Sequence, residues 1–154
     1  MNAIFTRENI IKELIQMKEV EIDALENSEH QILGEMVAEK TKPQDSDSTS
    51  KDDLNKIRKF IREKEAVIKV LTDLPNPKKP FTKISEGCLF LMNYDGEKKW
   101  YLMVAKNGAC TVKIHGIEIS SMSTEAPIAK EIMDKTAGIK IVFRGRDVQI
   151  LKIL

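Results

Sequence analysis

No proline falls between Arg7 and Lys42, and the only glycine there is Gly34. Along that stretch apolar side chains return at Ile11, Ile15, Ile22, Leu25, Ile32 and Met36. Spacings that alternate four and three place them on one stripe of a helix. Two positions of the same series, Lys18 and Glu29, are polar, so the stripe is a narrow seam with interruptions. A helix of about 30 residues would be roughly 45–50 Å long at ~1.5 Å per residue. Thr6, just before Arg7-Glu8-Asn9, is placed to cap its start.

A second seam follows at Leu54, Ile57, Ile61, Ile68 and Leu71, with Lys64 as its polar break, and Pro75 and Pro77 stop it. Residues 41–50 between the seams are polar, with one proline, and bury no face. Two helices with one narrow stripe each, joined by a polar turn, pair antiparallel. The expected first domain is therefore a helical hairpin over residues 1–75, a coiled coil with its tip loop near 41–51. Such a hairpin buries little surface per residue, so the shape makes sense if it must reach somewhere. The same seams would also serve an intermolecular coiled coil.

Residues 76–154 read differently. Pro75-Asn76-Pro77-Lys78-Lys79-Pro80 is a linker. Short apolar runs then alternate with turn signals: Cys88–Met92, Asp95-Gly96, Trp100–Ala105, Asn107-Gly108, Cys110–Ile114, His115-Gly116 and Ile117–Ile119. Pro127 opens a helical stretch to Lys135, with Ile128 and Ile132 on one face and Gly138 as the stop. Lys140–Phe143, the Arg144-Gly145-Arg146 turn and Asp147–Ile153 close the chain. About five antiparallel strands and one short helix are expected, which makes the whole chain α+β.

Composition narrows the function classes. Residues 1–75 carry 12 Lys and Arg against 16 Asp and Glu; residues 76–154 carry 13 against 8. An acidic first part and a basic second part suit different partners. Cys88 and Cys110 are far apart and read as buried free thiols of a reducing compartment, the cytoplasm. The N-terminus lacks the apolar core of a signal peptide, and no run reaches the ~20 residues of a membrane span. His30 and His115 have no neighbours at metal-ligand spacing. Trp100 and Tyr101 read as sheet packing. No phosphate loop, triad or nucleophile elbow appears.

The stretch from Ile119-Ser120-Ser121 through Ala126-Pro127-Ile128-Ala129-Lys130 to Lys135-Thr136-Ala137-Gly138 resembles the end of the bacterial Gre transcription elongation factors. That family has a Ser-Pro-(Ile/Leu)-Gly-(Lys/Arg) helix start and two closing strands; Val148–Ile153 takes the place of the last. The order of parts agrees too: helical hairpin, linker, FKBP-like domain. The departures are Ala126 for the family's Ser, Ala129 and Asp134 for its glycines, and Ile139 for its acidic residue.

The resemblance implies a partner and a mechanism. Gre-like factors seat the C-terminal domain at the rim of the RNA polymerase secondary channel, and the hairpin enters the channel. Ser121, Pro127, Ile128 and Lys130 would then be the partner-binding residues. Acidic residues at the tip help hold a Mg²⁺ shared with the polymerase, and the nascent RNA is cut. The protein would bind no cofactor alone, would not be an enzyme by itself, and would act as a monomer near RNA and DNA. In cleavage factors the tip carries Asp-x-x-Glu, which this sequence lacks. Asp45 and Asp47 are its candidate tip carboxylates, and Asp52 and Asp53 suit a helix N-terminus. Without a working tip, the implied activity is that of a non-cleaving channel regulator. The readings outside this family are a coiled-coil interaction module and, less well supplied with aromatic side chains, a prolyl isomerase.

Overall fold

The computed structural model describes residues 5–39, 47–105 and 111–154. Helices α1 (Arg7–Glu39) and α2 (Asp47–Thr72) open the chain. Thr6 caps α1: its Oγ1 accepts from Asn9 N at 3.2 Å, and its carbonyl accepts from Ile10 N at 3.0 Å. Glu21 meets Lys64, and Glu29 meets Arg58. One number rises as the other falls, so the helices run antiparallel.

After the linker come β1 (Leu89–Tyr94), β2 (Glu97–Val104), β3 (Thr111–Ile114), β4 (Ile117–Ser123), α3 (Pro127–Ile132), β5 (Lys140–Phe143) and β6 (Arg146–Ile153). They form one sheet in the order β3-β4-β2-β1-β6-β5. Three of its turns place two successive residues at positive φ: Asp95 and Gly96, His115 and Gly116, Arg144 and Gly145. This is the backbone a two-residue hairpin needs.

Among the described residues the sheet has six strands rather than about five, and it is not wholly antiparallel. β2 and β4 run parallel, Trp100 opposite Ile119 and Val104 opposite Ser123. β3 lies one place out and leaves a slot that β4 fills beside β2. α3 is also shorter than expected, ending at Ile132. Asp134 donates to Ile84 O at 2.8 Å and Ile84 donates to Lys135 O at 2.9 Å, which draws the chain off the helical path.

Side chains alternate across each strand, so the sheet has two buried faces. Phe90, Met92, Met103, Met122, Val148 and Ile150 pack under Ala129 and Ile132 of α3. Leu89, Trp100, Leu102, Val104, Ile114 and Ile119 pack instead with Ile10, Leu14, Leu71 and Leu74 at the hairpin base. Phe5 closes this core, its ring 4.8 Å from that of Trp100. Tyr101 stacks on Phe90 on the other face. Ile10 and Leu14 are thus the most buried residues of α1, one position before the seam residues Ile11 and Ile15. At its base α1 has two neighbours, α2 and the sheet, and needs a wider apolar stripe than a seam.

Candidate functional site

Beyond its base the hairpin projects. The Glu13 carboxylate meets His115 Nε2 of the β3–β4 turn at 3.0 Å. From Glu13 to Glu39 the axis of α1 advances about 39 Å at ~1.5 Å per residue. Ile22 and Leu54 are buried in this arm, but most of its surface is exposed.

The polar breaks in the two seams join across the arm. Lys64 Nζ lies 2.8 Å from Glu21 Oε2, and Lys18 Nζ lies 3.3 Å from the same oxygen. Arg58 Nε donates to Glu29 Oε2 at 3.2 Å. The hydrogen bond from Lys64 is the main cause that holds the Glu21 carboxyl below its usual range. These pairs set the register where an apolar seam would let one helix slide on the other.

The base is fixed by a buried cation. Arg7 is 6% exposed at the first turn of α1. Its guanidinium donates to the carbonyls of Pro75 and Gly87, reaches Asn76 Oδ1 at 3.4 Å and lies over the Phe81 ring at 5.1 Å. Burial lowers its pKa, partly offset by Glu8. Gly87 has φ +92, and a Cβ there would stand 3.1 Å from both the guanidinium and Pro75 O. The start of α1, the linker and the turn before β1 therefore meet on one side chain. In the sequence Arg7 looks like an ordinary first-turn residue, and nothing local marks it.

Asp45 lies outside the described residues. Asp47 is the first residue of α2. The four C-terminal candidates do not form one patch. Ser121 sits on β4 in register with Leu102, which faces the hairpin base. Pro127, Ile128 and Lys130 belong to α3 on the opposite face, with Pro127 and Lys130 exposed and Ile128 half-buried. Ala126 provides no side-chain cap for α3. Ser123 Oγ accepts from Glu125 N at 3.1 Å in the turn that precedes α3. Asp134, where the Gre pattern has glycine, holds φ +64. Aspartate is one of the few side chains that tolerate this conformation.

Among the described residues no three His, Cys, Asp or Glu side chains converge as a metal cage. No described helix is long and apolar enough to cross a membrane.

No family model matches the sequence, and no curated protein matches it. Several solved structures do match. GreA factor homolog 1 (Gfh1) of Thermus thermophilus has 18% identity and a TM-score of 0.37, over 94% of this chain and 94% of that one. A structure described as the transcription factor Gfh1 has 18% identity and a TM-score of 0.35, over 93% and 92%. Gfh1 of Thermus aquaticus has 14% identity and a TM-score of 0.35, over 90% and 92%.

Proposed function

We propose that this chain is a transcription factor that binds RNA polymerase and acts through the secondary channel. The observation that carries the reading is the arm itself. A helical hairpin locked at its base onto a sheet domain extends about 39 Å beyond it, at ~1.5 Å per helical residue. Its cross-helix ion pairs Glu21–Lys64 and Glu29–Arg58 keep the two helices in step along that length. The Ala126-Pro127 helix start and the closing strands add the Gre-like pattern at the domain that would dock. The protein would assist the polymerase's own chemistry, with no cofactor of its own.

Two outcomes follow from the tip. If Asp45 and Asp47 complete a Mg²⁺ site with polymerase carboxylates, that ion would supply a water of lowered pKa for RNA cleavage. The tip lacks the spacing Asp-x-x-Glu, which favours a second outcome, in which the arm occupies the channel and retunes the enzyme without cleavage. Purified protein added with Mg²⁺ to a backtracked elongation complex separates them. RNA shortening abolished by Asp45→Ala or Asp47→Ala supports cleavage. Binding without shortening supports the non-cleaving regulator. A chain that fails to bind polymerase sinks both and leaves the coiled-coil interaction module.

A further inference from the structure

The hairpin base covers only part of its face of the sheet. Four side chains lie in register across four strands on the remainder: Lys98 of β2 beside Asn93 of β1, Asn93 beside Gln149 of β6, and Gln149 beside Lys140 of β5. They share the face of Leu89 and Leu102, because Phe90, Met92, Val148 and Ile150 point the other way. Adjacent strands are about 4.8 Å apart, so the two lysine positions are separated by roughly 14 Å. Asn93 Oδ1 is buried and has no hydrogen-bond partner among the described residues. It lines a cleft of about 500 Å³ with Gly96, Lys140, Val142, Asp147 and Gln149.

The cleft runs to an open edge. β5 is the last strand of the sheet, and no described strand pairs on its far side. Ile150 N donates to Ile139 O at 3.0 Å, and Gly138 N donates to Ile150 O at 2.6 Å. In an antiparallel ladder the bonded positions then continue at Ile141 and Phe143. Lys140 and Val142 therefore direct their backbone N–H and C=O outward at the edge. Val142 is also 70% exposed.

We infer that the β5 edge, at the Lys140 end of that row, takes an extended acidic peptide of a partner protein as a seventh strand. Backbone bonds to Lys140 and Val142 would supply affinity, and alternate side chains would reach the cleft. An acidic residue suits Lys140, and an apolar one suits Val142. Asp147, in register with Val142, turns a second acid away from that position. A single-stranded nucleic acid fits less well, because its bases need aromatic platforms. Phe143 and Tyr94, the aromatics near this edge, pack on the opposite face. The inference stands apart from any activity of the hairpin.

Fluorescence polarisation of a fluorescein-labelled peptide repeating Glu-Thr-Val-Thr, whose alternate positions present Glu and Val in turn on one face, titrated with the full chain, tests it. Saturable binding is expected, weakened about tenfold by Lys140→Glu through the reversed charge. Val142→Pro should weaken it by a similar factor, since it removes an outward N–H while leaving the β5–β6 ladder intact. Lys135→Glu makes the same charge change outside the row and should shift affinity less than about twofold. Amide NMR shifts of the unmodified chain are a second reading that needs no variant, and they should concentrate on Lys140–Phe143. Absence of peptide binding overturns the inference. So do equal losses in Lys135→Glu and Lys140→Glu, shifts confined to the hairpin, or displacement of the peptide by oligo(dT) at lower concentration.

Discussion

Arg7 and Gly87, 80 residues apart, meet at the hairpin base, where the guanidinium Nε donates to the glycine carbonyl. The same side chain holds Pro75 O. A buried cation facing carbonyls keeps three separate segments in one place. Removing it leaves the buried Gly87 carbonyl without its donor.

Arg7→Leu should therefore cost about 1–3 kcal/mol, the penalty for one buried carbonyl left without a donor. Gly87→Ala should cost about 1–3 kcal/mol through backbone strain at positive φ, with a further contribution from the crowded Cβ. Urea unfolding followed by Trp100 fluorescence measures both. Costs below about 0.5 kcal/mol, the range of ordinary surface substitutions, would remove Arg7 from this role.

The Glu21–Lys64 pair gives a pH prediction. Glu21 is a carboxyl whose folded pKa lies below its ordinary 4.5. Its contribution is therefore present above the unfolded value and lost as pH falls through the lower folded one. The pair is partly exposed, so Glu21→Gln should cost no more than about 1 kcal/mol at pH 7. The gap between the two proteins should close in strong acid, and it should shrink in 1 M salt. A double-mutant cycle with Lys64→Met isolates the pair. A gap that persists below the folded pKa would assign it to packing instead.

Much of this fold is written locally. Thr6 before an uninterrupted apolar stripe marks the start of α1, and Pro75 and Pro77 mark the end of α2. Asp95-Gly96, His115-Gly116 and Arg144-Gly145 announce turns because few other pairs accept two positive φ values. What escaped is long-range. The parallel pairing of β4 with β2 depends on a slot left by β3, and no residue of β4 signals it. Ile10 and Leu14 lay outside the seam because the seam describes one neighbour and α1 has two. The candidate site divides the same way. The arm follows from periodicity, whereas Arg7 gains meaning only when Pro75 and Gly87 arrive beside it. Likewise the row Lys98–Asn93–Gln149–Lys140 exists only once four strands are in register.

Cys88 should be inert in the folded protein. Burial at 0% exposure pushes its thiol up to about 11. At pH 8 about one molecule in a thousand would carry the reactive thiolate, before access is considered. In a Cys110→Ser background, a colourless disulfide reagent that releases a chromophore should report no fast thiol at pH 8 and one full equivalent in denaturant. The raised pKa also sets a stability window. The contribution is complete below the unfolded value near 9 and is lost as pH rises towards 11. Rapid labelling of the native chain would show that the core around Cys88 opens.

The arm and its base should differ in how they unfold. Leu14 is 1% exposed in the core shared by the hairpin and the sheet, whereas Ile32 is half-buried between two helices in the projecting arm. Leu14→Ala should cost about 2–5 kcal/mol, as large-to-small changes in closed cores do. It should lower the midpoints of Trp100 fluorescence and of helical circular dichroism together, because one core supports both signals. Ile32→Ala should cost about 1 kcal/mol or less, because solvent already reaches that position and a partly exposed side chain loses less burial. Its effect should fall mainly on helical dichroism. Hydrogen exchange should follow the same gradient, slowest around Leu14 and Leu71 and faster towards Val37, which is 66% exposed. If Ile32→Ala moved the Trp100 transition as far as Leu14→Ala does, the arm would be part of the same cooperative unit as the sheet. A projecting probe with a locked base predicts the opposite: its outer turns open and close while the base stays shut.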